Sequence, residues 1–269
     1  GARHLVLASR HAPTETASAA LAELRALGCA VHTVQADLGQ AADVARLLAG
    51  IAPAGFPPLI GIIHAAGLSD ITRLEELTPG KIEAVLAAKA YGAWLLDRLG
   101  TEQGLTLSLF ILTSSLAAVW GAINQGAYCA ANAFLDALAA RRAASGQPAC
   151  AIAYGPWAGT GMMAGASTAG VDWIRRHGIA LLNPTFALDA TETLATMVPN
   201  AACALVDWTA AVEALSEGLH SPLFARVAPL PQGVRSSSNE FTSAGPLAKL
   251  ANVPTPQRLE QLTRSEEHT

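Results

Sequence analysis

Two regular patterns of apolar and polar positions alternate along this chain. Apolar runs of strand length occur at 3–9, 30–36, 59–64, 107–113, 149–154 and 202–206. Stretches with helical periodicity lie between them, at about 15–28, 40–51, 79–99, 127–145 and 184–197. Strands that alternate with helices indicate βαβ units, whose strands run parallel. The pattern therefore predicts an α/β fold with a doubly wound parallel sheet.

The helix predicted over 79–99 carries clear end signals. Thr78 and Pro79 suit the N-cap and first helical positions, and Gly100 suits the end. The apolar stripe of this helix comprises Ile82, Val85, Leu86, Ala93 and Leu96. Lys89 lies on the flank of the stripe, where a lysine is ordinarily a solvated neighbour of the core. The pattern alone gives Lys89 no role.

Composition narrows the class of protein. The 269 residues are 51% hydrophobic and 14% charged, enough for one core of moderate size with a tail. A net charge of −4 gives no general reason to expect nucleic acid or anionic membranes. No secretory signal is visible and no apolar run reaches the roughly 18 residues of a membrane helix, so we expect a cytoplasmic protein. Reduced thiols and no metal are expected, because metal spacing is absent among Cys29, Cys129, Cys150 and Cys203.

Four polar residues form a candidate catalytic set. Tyr128 and Asn132 are four apart and share one helix face. Ser115 lies thirteen residues before Tyr128, at the end of an apolar strand, and Lys89 lies on the preceding helix. A phenol can protonate a carbonyl oxygen, an ammonium stabilises the phenolate, a hydroxyl holds the oxygen and an amide anchors a water. A lone Tyr-xxx-Asn pair means nothing, but the combination predicts a site of reductase origin.

Five segments carry a resemblance to a known family, namely His64-Ala-Ala-Gly67, 86–94, Thr113-Ser-Ser115, 126–136 and Tyr154-Gly-Pro-Trp157. From residue 1 to about 228 the chain resembles the ketoreductase domain of modular type I polyketide synthases, within the short-chain dehydrogenase/reductase family. Ordinary members read Tyr-xxx-Lys, whereas here Asn132 takes the lysine position and Lys89 lies upstream. That exchange is typical of polyketide and animal fatty-acid synthase ketoreductases. The resemblance implies a Rossmann-like sheet and catalytic roles for the four residues.

The resemblance also implies NADPH as cofactor. The implied contacts are Ser9, Arg10, Asp37, Leu38, Ala65, Ala66, Gly67, Lys89, Tyr128, Gly155, Pro156 and Trp157. Among them, Arg10 would meet the 2′-phosphate, for which a planar guanidinium is suited. Asp37 would meet the adenine ring, and Gly155 to Trp157 would lie under the nicotinamide. Taken alone, Arg10 is as easily a surface arginine and Asp37 a helix N-cap.

The glycine-rich turn of the family, Gly-x-Gly-x-x-Gly, is absent from the chain. Residues 1–10 resemble the family's second strand, so we expect the first strand, the glycine loop and the first helix to be missing. In a sheet of order 3-2-1-4-5-6 this leaves a gap between the strands at 3–9 and 59–64. The two strands either pair directly, or their unpaired edges leave the chain barely stable.

Stereochemistry is also implied by the resemblance. Trp120, eight residues before Tyr128, marks the A-type, which gives the L-configured 3-hydroxyl; Gln125 stands where a histidine would favour epimerised α-methyl substrates. B-types carry Leu-Asp-Asp where this chain has Ser69-Asp-Ile71. Alternatively, Trp120 only packs beside the helix. Met162 falls in a Gly/Ala/Met-rich segment, 157–178, interpreted as a substrate lid or a plain surface loop.

The tail completes the picture. Residues 229–269 are interpreted as a linker toward a carrier domain, and residues 264–269 as possible foreign sequence.

The expected reaction is NADPH-dependent reduction of a 3-ketoacyl thioester to the 3-hydroxyacyl thioester. The expected partners are an acyl carrier protein with its phosphopantetheine-bound substrate and the other synthase domains, with no nucleic acid, membrane or metal. Two alternatives stay open, a free-standing reductase of a small carbonyl metabolite and a non-reducing structural relic.

Overall fold

The computed structural model describes residues 2–159, 161–163, 165 and 167–215. Its strands are β1 His4–Ser9, β2 Ala30–Gln35, β3 Gly61–His64, β4 Leu109–Ser115, β5 Cys150–Tyr154, β6 Ile179–Ala180, β7 Asn200–Cys203 and β8 Leu205–Val206. Its α-helices are α1 Glu15–Ala26, α2 Ala41–Ala49, α3 Pro79–Leu86, α4 Gly92–Glu102, α5 Leu116–Trp120, α6 Gly126–Ala144, α7 Thr168–Arg176, α8 Pro184–Leu194 and α9 Trp208–Leu215.

The main sheet is parallel, as predicted. Its order is β3-β4-β5-β7, and a separate parallel pair joins β1 to β2. In the main sheet His64 pairs with Leu112, and Ser115 pairs with Tyr154. The carboxyl ends of β3, β4 and β5 therefore lie at one edge, where open α/β sheets bind their ligands.

Both faces of the sheet are covered, which confirms the doubly wound prediction. Side chains alternate between faces along a strand. Phe110 and Leu112 of β4 pack in one cluster with residues of α2, α4 and α6. Ile111, between them, packs on the opposite face with Ile152 and with Ala187 of α8.

The gap predicted between the first and third strands stays open. Within the described residues β1 pairs only with β2, and β3 pairs only with β4. Of the two alternatives for the strands at 3–9 and 59–64, direct pairing is therefore wrong, and the edges that face the gap are unpaired. Leu7 of β1 is 41% exposed and Ile63 of β3 is 63% exposed. Each of the two strands pairs with one neighbour in its own sheet. The backbone groups on the other edge of β1 and of β3 form no strand pairing with described residues.

The helix predicted over 79–99 is interrupted by a π turn. Thr78 caps α3 by accepting a hydrogen bond from the amide of Lys81, and Pro79 is the first helical residue, as predicted. The π turn spans Ala87–Tyr91, and α4 follows it directly. The prediction that Gly100 ends the helix is wrong, because Gly100 is buried inside α4 and the left-handed residue that follows the helix is Gly104, with φ 70°.

The strand predicted over 202–206 is divided between two sheets. Its first part belongs to β7 and pairs with β5, whereas β8 pairs antiparallel with β6. The apolar run continues through the break, so its pattern gives no sign of the change of partner. The chain divides into units of residues 1–211 and 212–269. The domain boundary predicted at 228 and the linker after it lie outside the described residues.

A buried charge cluster ties α4 to α6. Asp97 of α4 is 5% exposed and accepts hydrogen bonds from Arg141 and Arg142 of α6. The Arg142 guanidinium also lies 4.3 Å from the ring centroid of Phe110 and donates to the carbonyl of Pro148 at 3.3 Å. The cluster fixes the helix that follows the π turn against the helix that carries Tyr128.

Candidate active site

Tyr128 and Asn132 occupy successive turns at the start of α6, as the spacing predicts. The Asn132 amide Nδ2 donates to the main-chain carbonyl of Tyr128 at 2.8 Å. Asn132 is 0% exposed, and its Oδ1 has no hydrogen-bond partner within the described part of the chain. A buried amide oxygen without a partner is costly, so this atom is a natural acceptor for a water or a ligand.

Lys89 lies in the π turn and is buried, with 3% of its surface exposed. Its Nζ donates to the carbonyl of Thr113 in β4 at 2.9 Å and lies 5.7 Å from the ring centroid of Tyr128. Burial lowers the pKa of Lys89 from 10.5 to about 8, and the Asp136 carboxylate opposes this shift. The structure thus brings Lys89 and Tyr128 together, and Lys89 is no solvated flank residue.

Gly67 leaves the space that the Lys89 side chain fills. A Cβ at position 67 would lie 2.6 Å from Cε of Lys89, closer than real Cβ contacts come. The small residue therefore serves Lys89 as well as any cofactor that approaches this loop.

Ser115 is the last residue of β4 and the N-cap of α5. Its hydroxyl accepts a hydrogen bond from the amide of Ala117 at 3.2 Å. The hydroxyl proton remains available to a ligand at the carboxyl edge of the sheet. Because α6 packs against β4, α5 and the π turn, all four predicted catalytic residues belong to elements that meet at one place.

Sequence reasoning missed the polar residues that surround this set. Burial lowers the pKa of His64 from 6.5 to about 4. Burial raises the pKa of Asp136, while the Ser114 hydroxyl and Lys89 oppose that shift. The Ser114 hydroxyl also donates to the carbonyl of Asn132 at 3.4 Å. The available signal was their position, since His64 and Ser114 lie at the carboxyl ends of parallel strands.

The first group of predicted cofactor contacts follows β1 and β2. Ser9 and Arg10 are exposed, and the Arg10 carbonyl accepts a hydrogen bond from Gln35 at 2.9 Å. Asp37 Oδ1 accepts from the amide of Gly39 at 2.9 Å. The N-cap of α2 is Gln40, so the helix N-cap alternative for Asp37 is wrong. Leu38 packs against the core beside Gly92. A Cβ added at Gly92 would lie 3.0 Å from the Cβ of Leu38.

The second group follows β3 and β5. Ala65 is exposed, Ala66 is half-buried, and both follow β3 directly. Gly155 is buried, and the ring of Trp157 packs edge-to-face on Tyr154 with centroids 5.3 Å apart. The Pro156 carbonyl accepts from the amide of Leu182 at 2.7 Å. This segment is therefore fixed by its own packing, directly after a central strand.

The predicted stereocontrol residues have specific partners. Trp120 ends α5, and its ring meets that of Trp208 edge-to-face with centroids 5.9 Å apart. Gln125 Nε2 donates to the Ser69 hydroxyl at 3.1 Å, which links the loop before α6 to the loop after β3. Met162 is exposed in the short 3-10 turn Gly161–Met163.

Some features are absent from the described part of the chain. No group of three or more metal-ligating side chains occurs among these residues. No helix there is both long and apolar enough to span a membrane. The cysteines Cys29, Cys129, Cys150 and Cys203 are all free thiols.

Comparison with known proteins identifies the class. The sequence model of the protein family described as "KR domain" matches residues 1–159 of this chain. The polyketide synthase GfsA of Streptomyces halstedii is 38% identical over an alignment of 270 positions, which covers 99% of this chain and 3% of that protein. NorB of the spectinabilin polyketide synthase system of Streptomyces orinoci is 48% identical over 185 residues, 68% of this chain and 8% of that protein.

Solved structures agree. The ketoreductase from the first module of phoslactomycin biosynthesis in Streptomyces sp. HK803 is 33% identical with a TM-score of 0.76, over 84% of this chain and 52% of that one. A structure described as A-type ketoreductases from a modular polyketide synthase is 36% identical with a TM-score of 0.75, over 83% of this chain and 46% of that one. The chain spans about half the length of these structures and a small part of the synthases.

The doubly wound parallel sheet is therefore that of a Rossmann-like oxidoreductase of the short-chain dehydrogenase/reductase type. The chain belongs to the family of ketoreductase (KR) domains of polyketide synthases, a family of enzymes that use a nicotinamide cofactor.

Proposed function

We propose that this chain reduces a 3-ketoacyl thioester to the 3-hydroxyacyl thioester with NADPH. The observation that carries the proposal is the position of the buried Lys89 amine, whose Nζ lies 5.7 Å from the ring centroid of Tyr128. This pair lies near the carboxyl end of β4, whose last residue is Ser115. The substrate class is a polyketide intermediate on the phosphopantetheine arm of an acyl carrier protein, because the curated relatives are polyketide synthases.

Each residue of the site has a task in this reaction. When bound, the nicotinamide cofactor supplies a hydride to the β-carbon. Tyr128 donates its phenolic proton to the ketone oxygen, and Ser115 donates a hydrogen bond to the same oxygen. The ammonium of Lys89 stabilises the phenolate that remains. The Oδ1 of Asn132, which has no hydrogen-bond partner among the described residues, holds a water from which Tyr128 recovers its proton.

Residues at the carboxyl ends of the parallel strands support NADPH as the cofactor. Arg10 is exposed at the carboxyl end of β1 and forms no ion pair with any described residue. A guanidinium in that position suits the 2′-phosphate that distinguishes NADPH from NADH. Asp37, Ala66 and Gly155 follow the next strands at their carboxyl ends, which is the ligand side of such a sheet.

Replacement of Arg10 tests the cofactor. We expect Arg10→Ala to weaken NADPH binding about 10-fold to 100-fold, the effect of losing a charged hydrogen bond. NADH binding should be unchanged, and it serves as the internal control. Fluorescence titration of both nucleotides measures the effect. An equal loss for both nucleotides, or no loss, would argue against a 2′-phosphate contact.

The stereochemical part of the proposal is the A-type outcome, an L-configured 3-hydroxyl. It is supported by Trp120, which packs on Trp208, and by the similarity to a structure described as A-type ketoreductases. Trp120 closes one entrance to the site, so the thioester arm enters from the other side.

The test is turnover of a 3-ketoacyl N-acetylcysteamine thioester with NADPH, with the product resolved by chiral chromatography. The chain is assayed beside a version extended at its N-terminus by a strand and glycine loop of the family type. Production of the L-alcohol supports the proposal, and the D-alcohol contradicts its stereochemical part. No turnover in either version, with both folded, favours a structural module.

A further inference from the structure

Lys89 belongs to a cycle of three residues, together with His64 and Thr113. Each of the three side chains donates a hydrogen bond to the main-chain carbonyl of another member of the cycle. His64 Nε2 meets the carbonyl of Lys89 at 2.9 Å. Lys89 Nζ meets the carbonyl of Thr113 at 2.9 Å, and Thr113 Oγ1 meets the carbonyl of His64 at 3.0 Å. The three bonds close a cycle that joins β3, the π turn and β4, which are far apart in sequence.

His64 has one protonation state in which it fits this cycle. A carbonyl only accepts, so Nε2 must carry the proton, and in the neutral ring Nδ1 is then an acceptor. Nδ1 has no partner within the described residues, and His64 is 2% exposed. A second proton on the ring would be buried without an acceptor. Burial accordingly lowers the pKa of His64 to about 4, and the ring is a neutral donor at working pH.

The carbonyl of Lys89 lies within the π turn and accepts hydrogen bonds from the amide of Gly92 and from His64. A π turn interrupts the regular i→i−4 ladder of a helix, and such turns are frequent at functional sites. The turn Ala87–Tyr91 separates two α-helices, and the amine of Lys89 leaves from its middle. His64 bonds the main-chain carbonyl of Lys89, and the carbonyl of Thr113 accepts a hydrogen bond from the amine at the end of the Lys89 side chain.

The cycle begins where the strand ladder stops. The last pair of β3 with β4 is His64 with Leu112, and Thr113 is the next residue of β4. The Thr113 hydroxyl therefore continues the connection between the two strands through a side chain. Gly67, three residues after β3, leaves room for the end of the Lys89 side chain.

We propose that His64 and Thr113 are positioning residues for Lys89, and that the closed cycle of their hydrogen bonds fixes the Lys89 amine beside Tyr128. Neither side chain has to touch the substrate. The catalytic consequence rests on the proposed function, but the fixed position of the amine does not. The titratable groups nearest to Lys89 are His64, Tyr128 and Asp136.

The chain offers matched variants for both residues. Thr113→Val removes the hydroxyl with little change of shape, and Thr113→Ser keeps it. His64→Leu removes the donor, and His64→Gln retains an amide donor of similar reach. Lysine occurs only at positions 81, 89 and 249. Protein labelled with ¹³C at Cε of lysine therefore gives few NMR signals. Lys81 is exposed and serves as the internal reference.

The full chain is studied by NMR at its lysine ε-methylene groups. A fixed side chain keeps its two ε protons in different surroundings, so they give separate signals, whereas a mobile one gives a single averaged signal. We expect separate ε-proton signals for Lys89 in the unaltered protein, in Thr113→Ser and in His64→Gln. We expect the separation to be lost in Thr113→Val and His64→Leu, with Lys81 unchanged. Separate Lys89 signals in the last two variants would overturn the proposal.

Turnover provides the second readout. We expect kcat to fall about 10-fold to 100-fold in Thr113→Val and His64→Leu, with the KM for the thioester unchanged and near-complete recovery in the conservative variants. If kcat falls equally in all four variants, the residues are structural and the positioning role is wrong. If the unaltered chain shows no turnover while the NMR signals behave as expected, the proposed function fails and the positioning role stands.

Discussion

The buried amine of Lys89 makes the charge of one side chain depend on pH close to the working range. Its pKa is about 8 in the folded protein, against 10.5 for an ordinary lysine. Below pH 8 the amine is charged in both states, so the cost of its burial is fully present. Between pH 8 and 10.5 the unfolded chain binds more protons than the folded one, so the free energy of unfolding rises with pH.

Lys89→Met should remove this rise. We expect the unaltered protein to gain on the order of 2–3 kcal/mol relative to the variant between pH 7 and 10.5. Urea denaturation of both proteins at a series of pH values measures the difference. The lost hydrogen bond to Thr113 shifts the variant by a constant amount and leaves the slope unaffected. A difference independent of pH would contradict a depressed pKa.

Gly67 gives a second prediction for a single residue. In Gly67→Ala the new Cβ would meet Cε of Lys89 at 2.6 Å, so the flexible side chain must move away from Tyr128. We expect kcat to fall about 10-fold or more, because small displacements of catalytic groups are costly, while thermal stability changes little. Gly80→Ala is the control, since a Cβ there has no neighbour within 4 Å. Equal activity in both variants would show that the amine tolerates the displacement.

The charge cluster of Asp97 acts between two helices. Replacing Asp97 by Ala leaves the buried guanidinium of Arg142 without its carboxylate, and such changes cost roughly 3–5 kcal/mol. Arg141 also bonds Asp97 but is largely exposed, so Arg141→Ala should cost no more than about 1 kcal/mol. Urea denaturation of the two variants should show this difference. Equal losses would mean that Arg142 finds another partner.

Regular elements were predictable from the sequence where one local pattern governs them. The β1 and β5 runs, and the Thr78–Pro79 helix start, depend on neighbouring residues and were predicted correctly. The π turn was missed because it preserves helical composition and periodicity. The break at Ala204 was missed because the choice of strand partner is a tertiary property.

The candidate site was predictable only in part, for a related reason. Tyr128 and Asn132 have a meaningful spacing along one helix, so their approach follows from the sequence. The burial of Lys89 and its bond to Thr113 depend on how the π turn meets β4. The part played by His64 depends on a contact across 25 residues, which no local pattern reports.

At the scale of the whole molecule, β1 and β3 each have an unpaired edge within the described residues, and we expect these edges to limit stability. Unpaired strand edges are templates for pairing with other chains. We expect the chain to melt below about 50 °C, toward the lower end of the range for ordinary domains, and to associate at high concentration. Calorimetry and light scattering measure both properties.

An N-terminal extension that supplies one strand should raise the melting temperature and suppress association. The control is the same extension with two prolines in its strand, because proline cannot donate to a ladder. A cooperative transition well above 50 °C without any extension would show that the open gap costs little. Equal effects of both extensions would show that the gain does not come from strand pairing.

The place of Lys89 also has an evolutionary consequence. A lineage that moved its amine from position 89 to position 132 would have to pass through a protein with two amines or with none. Position 132 is fully buried, and its side chain holds the carbonyl of Tyr128. Two neighbouring buried ammonium groups repel each other, and a protein with none lacks the charge beside the phenol. If Lys89 has the proposed role, we expect both intermediates to be poor enzymes, and ketoreductases of this arrangement to keep it while their surfaces diverge.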